Sequence, residues 1–409
     1  MPVIRIGNIR QLVGTFPGEK PLRGSELSSL PSINNAYLVV EDGIVADFGE
    51  MTAFPGGDFL DASGKFLLPC WCDSHTHLVF AASREAEFVD KIRGMSYAEI
   101  AARGGGILNS ARAVQQASED ELFRISWERL EELARLGTGA VEIKSGYGLT
   151  PEAELKMLRV IRRLKERSQL LIRATFLGAH SYPLEFRENH QGYIDQIIRD
   201  MLPVIAREKL ADYVDVFCET GFFSATETET ILRAALEYGL RPKLHTNQMT
   251  SIGGIEVAAR LNAISADHLE TMSEEEIEIL AASETIATVL PTAAFFLRMP
   301  FQPARRLVDA GAALAIASDY NPGSSPSGNM NLVVSMACIG LRLRPEEAVN
   351  AATVNGACAM GVQKEAGSIT VGKKANIILT RPIPSLAYLP YCFGSNLIEN
   401  VMINGHWIH

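Results

Sequence analysis

Between about residues 66 and 320 the chain alternates short apolar runs with longer stretches in which apolar residues recur at three- and four-residue spacing, and it does so eight times. The runs are "FLLPCWCDSHTH", "TGAVEIKSG", "LLIRATFLGAH", "ADYVDVFCE", "RPKLHTN", "AISADHLE", "TIATVLP" and "GAALAIASD", separated by stretches such as "SEDELFRISWERLEELARLG" and "PEAELKMLRVIRRLKERS". Apolar runs of strand length alternating eightfold with amphipathic helices predict an α/β fold, parallel strands closed into a (β/α)8 TIM-like barrel. The flanks differ in character. "AYLVVEDGIVADFGE" carries a hairpin turn at Glu41-Asp42-Gly43, and "GSITVGKKANIILTRP" and "NLIENVMINGHWIH" are again short β runs broken by Gly, Asn and Pro. We therefore expect a small β-sandwich domain formed by the N- and C-terminal segments, residues 1–65 and 366–409, beside a barrel of residues 66–365.

In a barrel of this kind, chemistry sits at the C-terminal ends of the strands. Of the eight histidines, His75, His77, His180, His245 and His268 stand at or just past the end of an apolar run, and His190, His406 and His409 do not. His75 and His77 are two apart and so share one face of a strand. Two imidazoles alone are weak evidence of a metal site, because a catalytic zinc or iron takes about three protein ligands and keeps a position open for water. His245, at the end of the "RPKLH" run, can supply a third nitrogen, and Asp319, at the end of "GAALAIASD", can supply an oxygen. Any one of these residues equally suits a hydrogen-bonded strand end, and "SDYNPGSS" is also a good turn. Their joint placement on three strand ends favours the metal. A carboxylate there could carry the proton of an activated water to a leaving nitrogen, while His268 steers the water or stabilises an oxyanion.

The HxH after a first strand, the later strand-end histidines and the final aspartate resemble the amidohydrolase superfamily, metal-dependent hydrolases on a barrel with a small β-sandwich. Within it, "FLLPCWCDSHTHLVFAASREAEF", "RGGGI", "VEIKSGYGLT", "TFLGAHSYP", "SADHL" and "ASDYNPGSSPSGNM" resemble the imidazolonepropionase family in order along nearly the whole chain. That resemblance implies hydrolysis of the cyclic C–N bond of 4-imidazolone-5-propanoate to N-formimidoyl-L-glutamate, in histidine degradation, with one Zn2+ or Fe3+ per subunit. It implies metal ligands His75, His77, His245 and Asp319, catalytic roles for Asp319 and His268, and a substrate pocket of Arg84, Tyr147, His180, Gln248, Asn321, Gly323 and Ser324. The residue types agree with the chemistry: a propionate tail suits the fork of Arg84, and Gly323 would let backbone approach a small ligand.

Two departures stand out. Pro69 is followed by Cys70-Trp71-Cys72, where the superfamily commonly has Pro-Gly before its HxH strand. The segment after His245 reads Thr246-Asn247-Gln248 and lacks the acid that relatives carry there, which shifts proton transfer towards Asp319 and His268 and leaves the Gln248 amide to orient water or substrate. The alternatives are an aminohydrolase of the same superfamily acting on a cyclic amidine or nucleobase, which would not need Arg84, or a catalytically silent ligand-binding barrel. A two-metal site bridged by carboxylated Lys144 fits less well, because Lys144 falls one strand too early. The loop of Arg103, Gly104, Gly105 and Gly106 could close over substrate or form a tight static turn.

A net charge of −10 argues against nucleic acid or an anionic membrane as partner. We expect a small-molecule substrate with a carboxylate tail, and a homodimer. The N-terminus lacks the pattern of a secretory signal, and the six cysteines contain no CxxC pair, so reduced core thiols and a cytoplasmic location are expected.

Overall fold

The computed structural model describes residues 3–95, 99 and 105–408. Arg103 and Gly104 of the glycine loop lie outside the described residues. In chain order, the N-terminal strands are β1 (Ile4–Val13), β2 (Ser32–Glu41), β3 (Ile44–Glu50), β4 (Leu60–Asp61) and β5 (Phe66–Pro69). The barrel strands follow: β6 (Trp71–Thr76), β7 (Thr138–Lys144), β8 (Leu171–Ala179), β9 (Tyr213–Cys218), β10 (Arg241–Thr246), β11 (Ser265–His268), β12 (Ile286–Val289) and β13 (Leu314–Ile316). The last three are β14 (Ile377–Thr380), β15 (Ile398–Ile403) and β16 (His406–Ile408).

Strands β6 to β13 pair in sequence order, each parallel to the next. They form the expected barrel. Its seam closes at the C-terminal rim, where the Asp319 N–H donates to the His75 carbonyl at 3.0 Å and the His77 N–H to the Tyr320 carbonyl at 2.9 Å. The seam therefore runs through three of the residues singled out as metal ligands.

The termini build one mixed sheet with strand order β16-β15-β14-β5-β1-β2-β3, to which β4 adds by pairing with β1. It has a core of its own, including Ile6, Ile9, Leu38, Leu67, Ile377 and Met402. The run "FLLPCWCDSHTH" divides: Phe66–Pro69 joins this sheet, pairing with β1 and β14, and the barrel begins only at Trp71. Pro69 lacks the N–H a central strand would need, so the chain changes sheets across Pro69-Cys70. Among the described residues no helix is long and apolar enough to cross a membrane, and all six cysteines are free thiols.

The helices follow from ordinary local rules. Ser118, Thr150, Ser224 and Ser273 cap the N-termini of four of them, each accepting a backbone N–H three residues on. The helix Glu85–Ile92, directly after the HxH segment, has no such cap; its N-cap is Arg84.

Candidate active site

His75 is the penultimate residue of β6 and His77 follows the strand, His245 lies on β10, and Asp319 comes three residues after β13. Their free atoms converge. His75 Nε2 lies 3.5 Å and His77 Nε2 3.6 Å from the same Asp319 Oδ1, and His245 Nε2 lies 3.3 Å from His77 Nε2. Atoms bound at about 2.1 Å around one ion stand about 3.4 Å apart in a tetrahedron, so the spacing suits a shared cation.

The tautomers agree. A carboxylate only accepts, so Asp267, 2.7 Å from His75 Nδ1, and Asp215, 2.9 Å from His245 Nδ1, fix the protons on those nitrogens and leave a lone pair on each Nε2. The His75 lone pair then faces a carboxylate and has no hydrogen-bond partner, and the His245 lone pair points at His77 Nε2. A cation resolves this. Burial, reinforced by Lys144 and neighbouring imidazoles, holds His75, His77 and His245 well below the ordinary histidine pKa, so they stay neutral and able to ligate.

Beneath the rim the barrel is filled with charge. Lys144 Nζ lies 2.6 Å from Glu142, 2.8 Å from Asp215 and 3.5 Å from Asp267, and Lys243 pairs with Glu142, all fully buried. Although burial opposes its charge, Lys144 is kept protonated by Asp215, Glu142 and Asp267. It is a paired cation holding the aspartates that hold His75 and His245, and its ammonium is committed to carboxylates, which leaves no place for a carboxylated metal bridge.

Asp319 and His268 both have left-handed backbones, with φ of 52° and 87°, which residues with side chains seldom adopt. Local bonds hold the Asp319 turn: Asn321 donates to the Asp319 carbonyl at 2.7 Å and accepts from the Gly323 and Ser324 N–H groups, and Ser324 Oγ donates to Asp319 Oδ2 at 3.2 Å. Burial raises the Asp319 pKa to about 6, with His268 opposing. Burial disfavours a charged His268, but Glu270, 3.5 Å away, and Asp319 and Asp267 outweigh it and lift its pKa to about 9.

Over the ligands lies a cavity of about 250 Å3 whose wall includes Arg84, Tyr147, His180, Gln248, Asn321, Gly323 and Ser324, with His77, His245, His268 and Asp319 also exposed to it. His75 lies fully buried below. The fold thus brings together every residue to which the resemblance gave a metal, catalytic or substrate role. His180 donates from Nδ1 to the Gly146 carbonyl at 3.1 Å and stacks on His77, and burial lowers its pKa to about 4, which leaves a neutral Nε2 acceptor. Tyr147 sits in a turn whose N–H groups at Gly146, Gly148 and Leu149 all donate to the buried carboxylate of Glu154. Gly323 touches Arg84: a Cβ there would collide with Nη1.

The sequence reading did not single out Glu87, Lys91, Glu142, Glu154, Asp215, Lys243, Asp267 or Glu270. For those on strands a signal was present, since "AVEIK", "YVDVF", "RPKLH" and "SADH" place charges inside runs otherwise built for burial. Such charges have to be paired or serve a site.

A parallel eight-stranded barrel with histidines and an aspartate converging at its rim is the arrangement of the amidohydrolase family, whose model matches residues 66–408. An imidazolonepropionase of Flavobacterium johnsoniae is 58% identical over 388 residues, 94% of each chain. The chain belongs to the amidohydrolase family and, within it, to the imidazolonepropionases. Among solved structures, the Escherichia coli guanine deaminase superposes with a TM-score of 0.75 over 100% of this chain and 99% of that one, at 14% identity. An adenosine deaminase from Xanthomonas campestris with bound zinc does so at 0.68 over 99% and 92%, at 17% identity. These likenesses extend to the fold.

Proposed function

We propose that this chain opens the ring of 4-imidazolone-5-propanoate to N-formimidoyl-L-glutamate, as the name of its F. johnsoniae relative suggests. One observation carries the reading: His75, His77 and His245 converge, and Asp319 Oδ1 stands 3.5 and 3.6 Å from the first two, beside a cavity that Arg84 also lines, so a reacting ring and a carboxylate tail can be held together.

His75, His77, His245 and Asp319 would hold one zinc or iron ion, which supplies Lewis acidity that eases deprotonation of a water. Water adds to the ring carbonyl carbon, the cyclic C–N bond breaks, and the leaving nitrogen takes a proton. Asp319, whose Oδ2 is held by Ser324, receives the water's proton and passes it to that nitrogen. His268, whose Nδ1 faces Glu270, donates to the developing oxyanion. Arg84 binds the tail, Tyr147 and His180 orient the ring, the Gln248 amide takes a ring nitrogen or oxygen, and Asn321, Gly323 and Ser324 shape the turn beside it.

The test is a metal count with a turnover assay. We expect about one zinc or iron per chain, activity on 4-imidazolone-5-propanoate, and its loss in His245→Ala with the fold intact. Full activity after exhaustive metal removal overturns the reading. Arg84→Ala separates it from a nucleobase aminohydrolase, because only a carboxylate-bearing substrate should lose affinity. The proposal includes a homodimer, tested by light scattering, and a cytoplasmic location, tested by fractionation.

A further inference from the structure

Arg84, Glu87 and Lys91 stand at i, i+3 and i+7, a spacing that aligns them along one face of the helix Glu85–Ile92. Glu87 is nearly buried, and both of its oxygens are engaged. Oε2 accepts from Arg84 Nε at 2.9 Å and Nη2 at 2.5 Å, and Oε1 accepts from the Gly106 N–H at 3.1 Å. That grip fixes the guanidinium plane and leaves Nη1, the nitrogen next to Gly323, outside the Glu87 pair, on a residue that lines the cavity.

Lys91 lines the same cavity as Arg84. Among the described residues its ammonium has one hydrogen-bond partner, the Gly323 carbonyl at 3.2 Å, and no ion pair. Burial, then the Arg84 guanidinium, lower its pKa from the ordinary lysine value. The stripe carries two cations against one carboxylate, both of whose oxygens are committed elsewhere. One positive charge is left over, in a partly buried pocket, with two of the three ammonium donors unused.

We propose that Lys91 is a second carboxylate-binding residue, which together with Arg84 forms a two-cation subsite for the substrate's tail, with Glu87 as the positioning residue that turns Arg84 into it. The assignment rests on the reading of the substrate as a ring bearing a carboxylate. A tail carboxylate takes one oxygen to Arg84 Nη1 and the other to Lys91 Nζ, and its charge balances the stripe. The Gly323 carbonyl steers the ammonium towards the turn that borders the site. A neutral ring without a tail gains nothing from this arrangement and leaves the cations uncompensated, so the subsite selects for substrate as well as binding it.

Two measurements on the purified holoenzyme test it. In turnover of 4-imidazolone-5-propanoate, Lys91→Met is expected to raise KM about 10- to 100-fold with kcat changed far less, as befits a charge-assisted contact made equally in ground and transition states, and Lys91→Arg to restore most of the loss. In calorimetry with 3-(imidazol-4-yl)propanoate and its methyl ester, which needs no turnover, wild type should prefer the acid, Lys91→Met should lose about tenfold or more of that preference, and Lys91→Arg should keep it. If Lys91→Met leaves the acid-to-ester ratio unchanged, or weakens acid and ester equally, Lys91 only braces the Gly323 turn and the proposal fails. If acid selectivity depends on Lys91 while the wild type does not open the imidazolone ring, the reaction proposed above falls and the subsite stands.

Discussion

Single residues at this site are constrained by what they touch. Gly323 has an ordinary backbone conformation, so alanine there meets no backbone penalty; its cost comes from Arg84 Nη1, which a Cβ would displace. Gly323→Ala should therefore raise KM for the tail-bearing substrate by about tenfold, the scale of one charge-assisted contact, while metal content per chain stays unchanged. A matching loss of metal would show that the turn, and not Arg84, had moved. His75, His77 and His245 make a separate prediction about pH. Their folded pKa values are well below 6.5 because of burial, whereas in the unfolded chain they titrate near 6.5. As pH falls through about 6.5, the unfolded chain takes up protons that the fold refuses, so each such histidine removes up to about 1.4 kcal/mol of stability per pH unit. Denaturant midpoints of metal-free protein should fall from pH 7.5 to 5.5, and His77→Asn should flatten that slope; an unchanged slope would show that His77 protonates in the fold. The positions of His75, His77, His245 and Asp319 were legible in the sequence because each stands at or just past the end of an apolar run. Asp215 and Asp267 were not: Asp215 on β9 orients His245 on the adjacent β10, whereas Asp267 on β11 reaches His75 on β6, three strands round the closed barrel, and neither register nor closure is present in a linear pattern.

At the scale of elements, the barrel was legible and its neighbour less so. Each barrel strand carries its own signature, an apolar run before an amphipathic helix, so alternation alone predicts the parallel order. The terminal sheet depends on pairing between segments more than 300 residues apart, such as Leu67 opposite Leu379, and on the change of sheet at Pro69-Cys70 that splits one apolar run in two. Nothing local encodes either. Inside the barrel, β7, β9, β10 and β11 carry Glu142, Lys144, Asp215, Lys243 and Asp267, two cations against three carboxylates with no water-facing outlet. Removing one partner from such a lattice leaves charge unneutralised, at about 3–5 kcal/mol. Lys144→Met should therefore cost about that much in a denaturation experiment, and also weaken metal binding, because Asp215 and Asp267 would no longer be held against His245 and His75. A competition titration with a chelator reads the second effect independently of activity. Undiminished metal affinity together with lost stability would confine Lys144 to a structural role. A more local device acts after β7, where Glu154 gathers three N–H groups of the Tyr147 turn. Glu154→Gln keeps the shape but turns one acceptor into a donor facing N–H groups. It should raise KM severalfold through a displaced Tyr147, and an unchanged KM would show that the turn holds itself.

For the molecule as a whole, the decisive feature is that the barrel closes through its own site. β6 and β13 are the first and last strands, and the bonds joining them beyond Thr76 and Ile316 include Asp319 to His75 and His77 to Tyr320. An ion held by His75, His77 and Asp319 would clasp this seam, and through His245 on β10 it would tie the seam to the opposite wall. Without it the seam retains backbone hydrogen bonds but leaves imidazole lone pairs and a carboxylate facing one another in a buried space, an arrangement the unfolded chain does not suffer. Metal binding should thus contribute to folding as well as to chemistry. At free metal about a hundredfold above its dissociation constant the fold gains about 2.7 kcal/mol, which for a chain of this size corresponds to a rise of about 3 °C in the apparent melting temperature. Scanning calorimetry of the protein before and after chelation, and after restoring one equivalent of zinc, measures it. The shift should be reversible, should vanish in His245→Ala, and should be accompanied in hydrogen exchange by slower opening of the amides of Asp319 and His77, which bridge the seam. Equal melting temperatures with and without metal would mean that the apo seam is already fully closed, and that the ligands were arranged by the charged lattice beneath them alone.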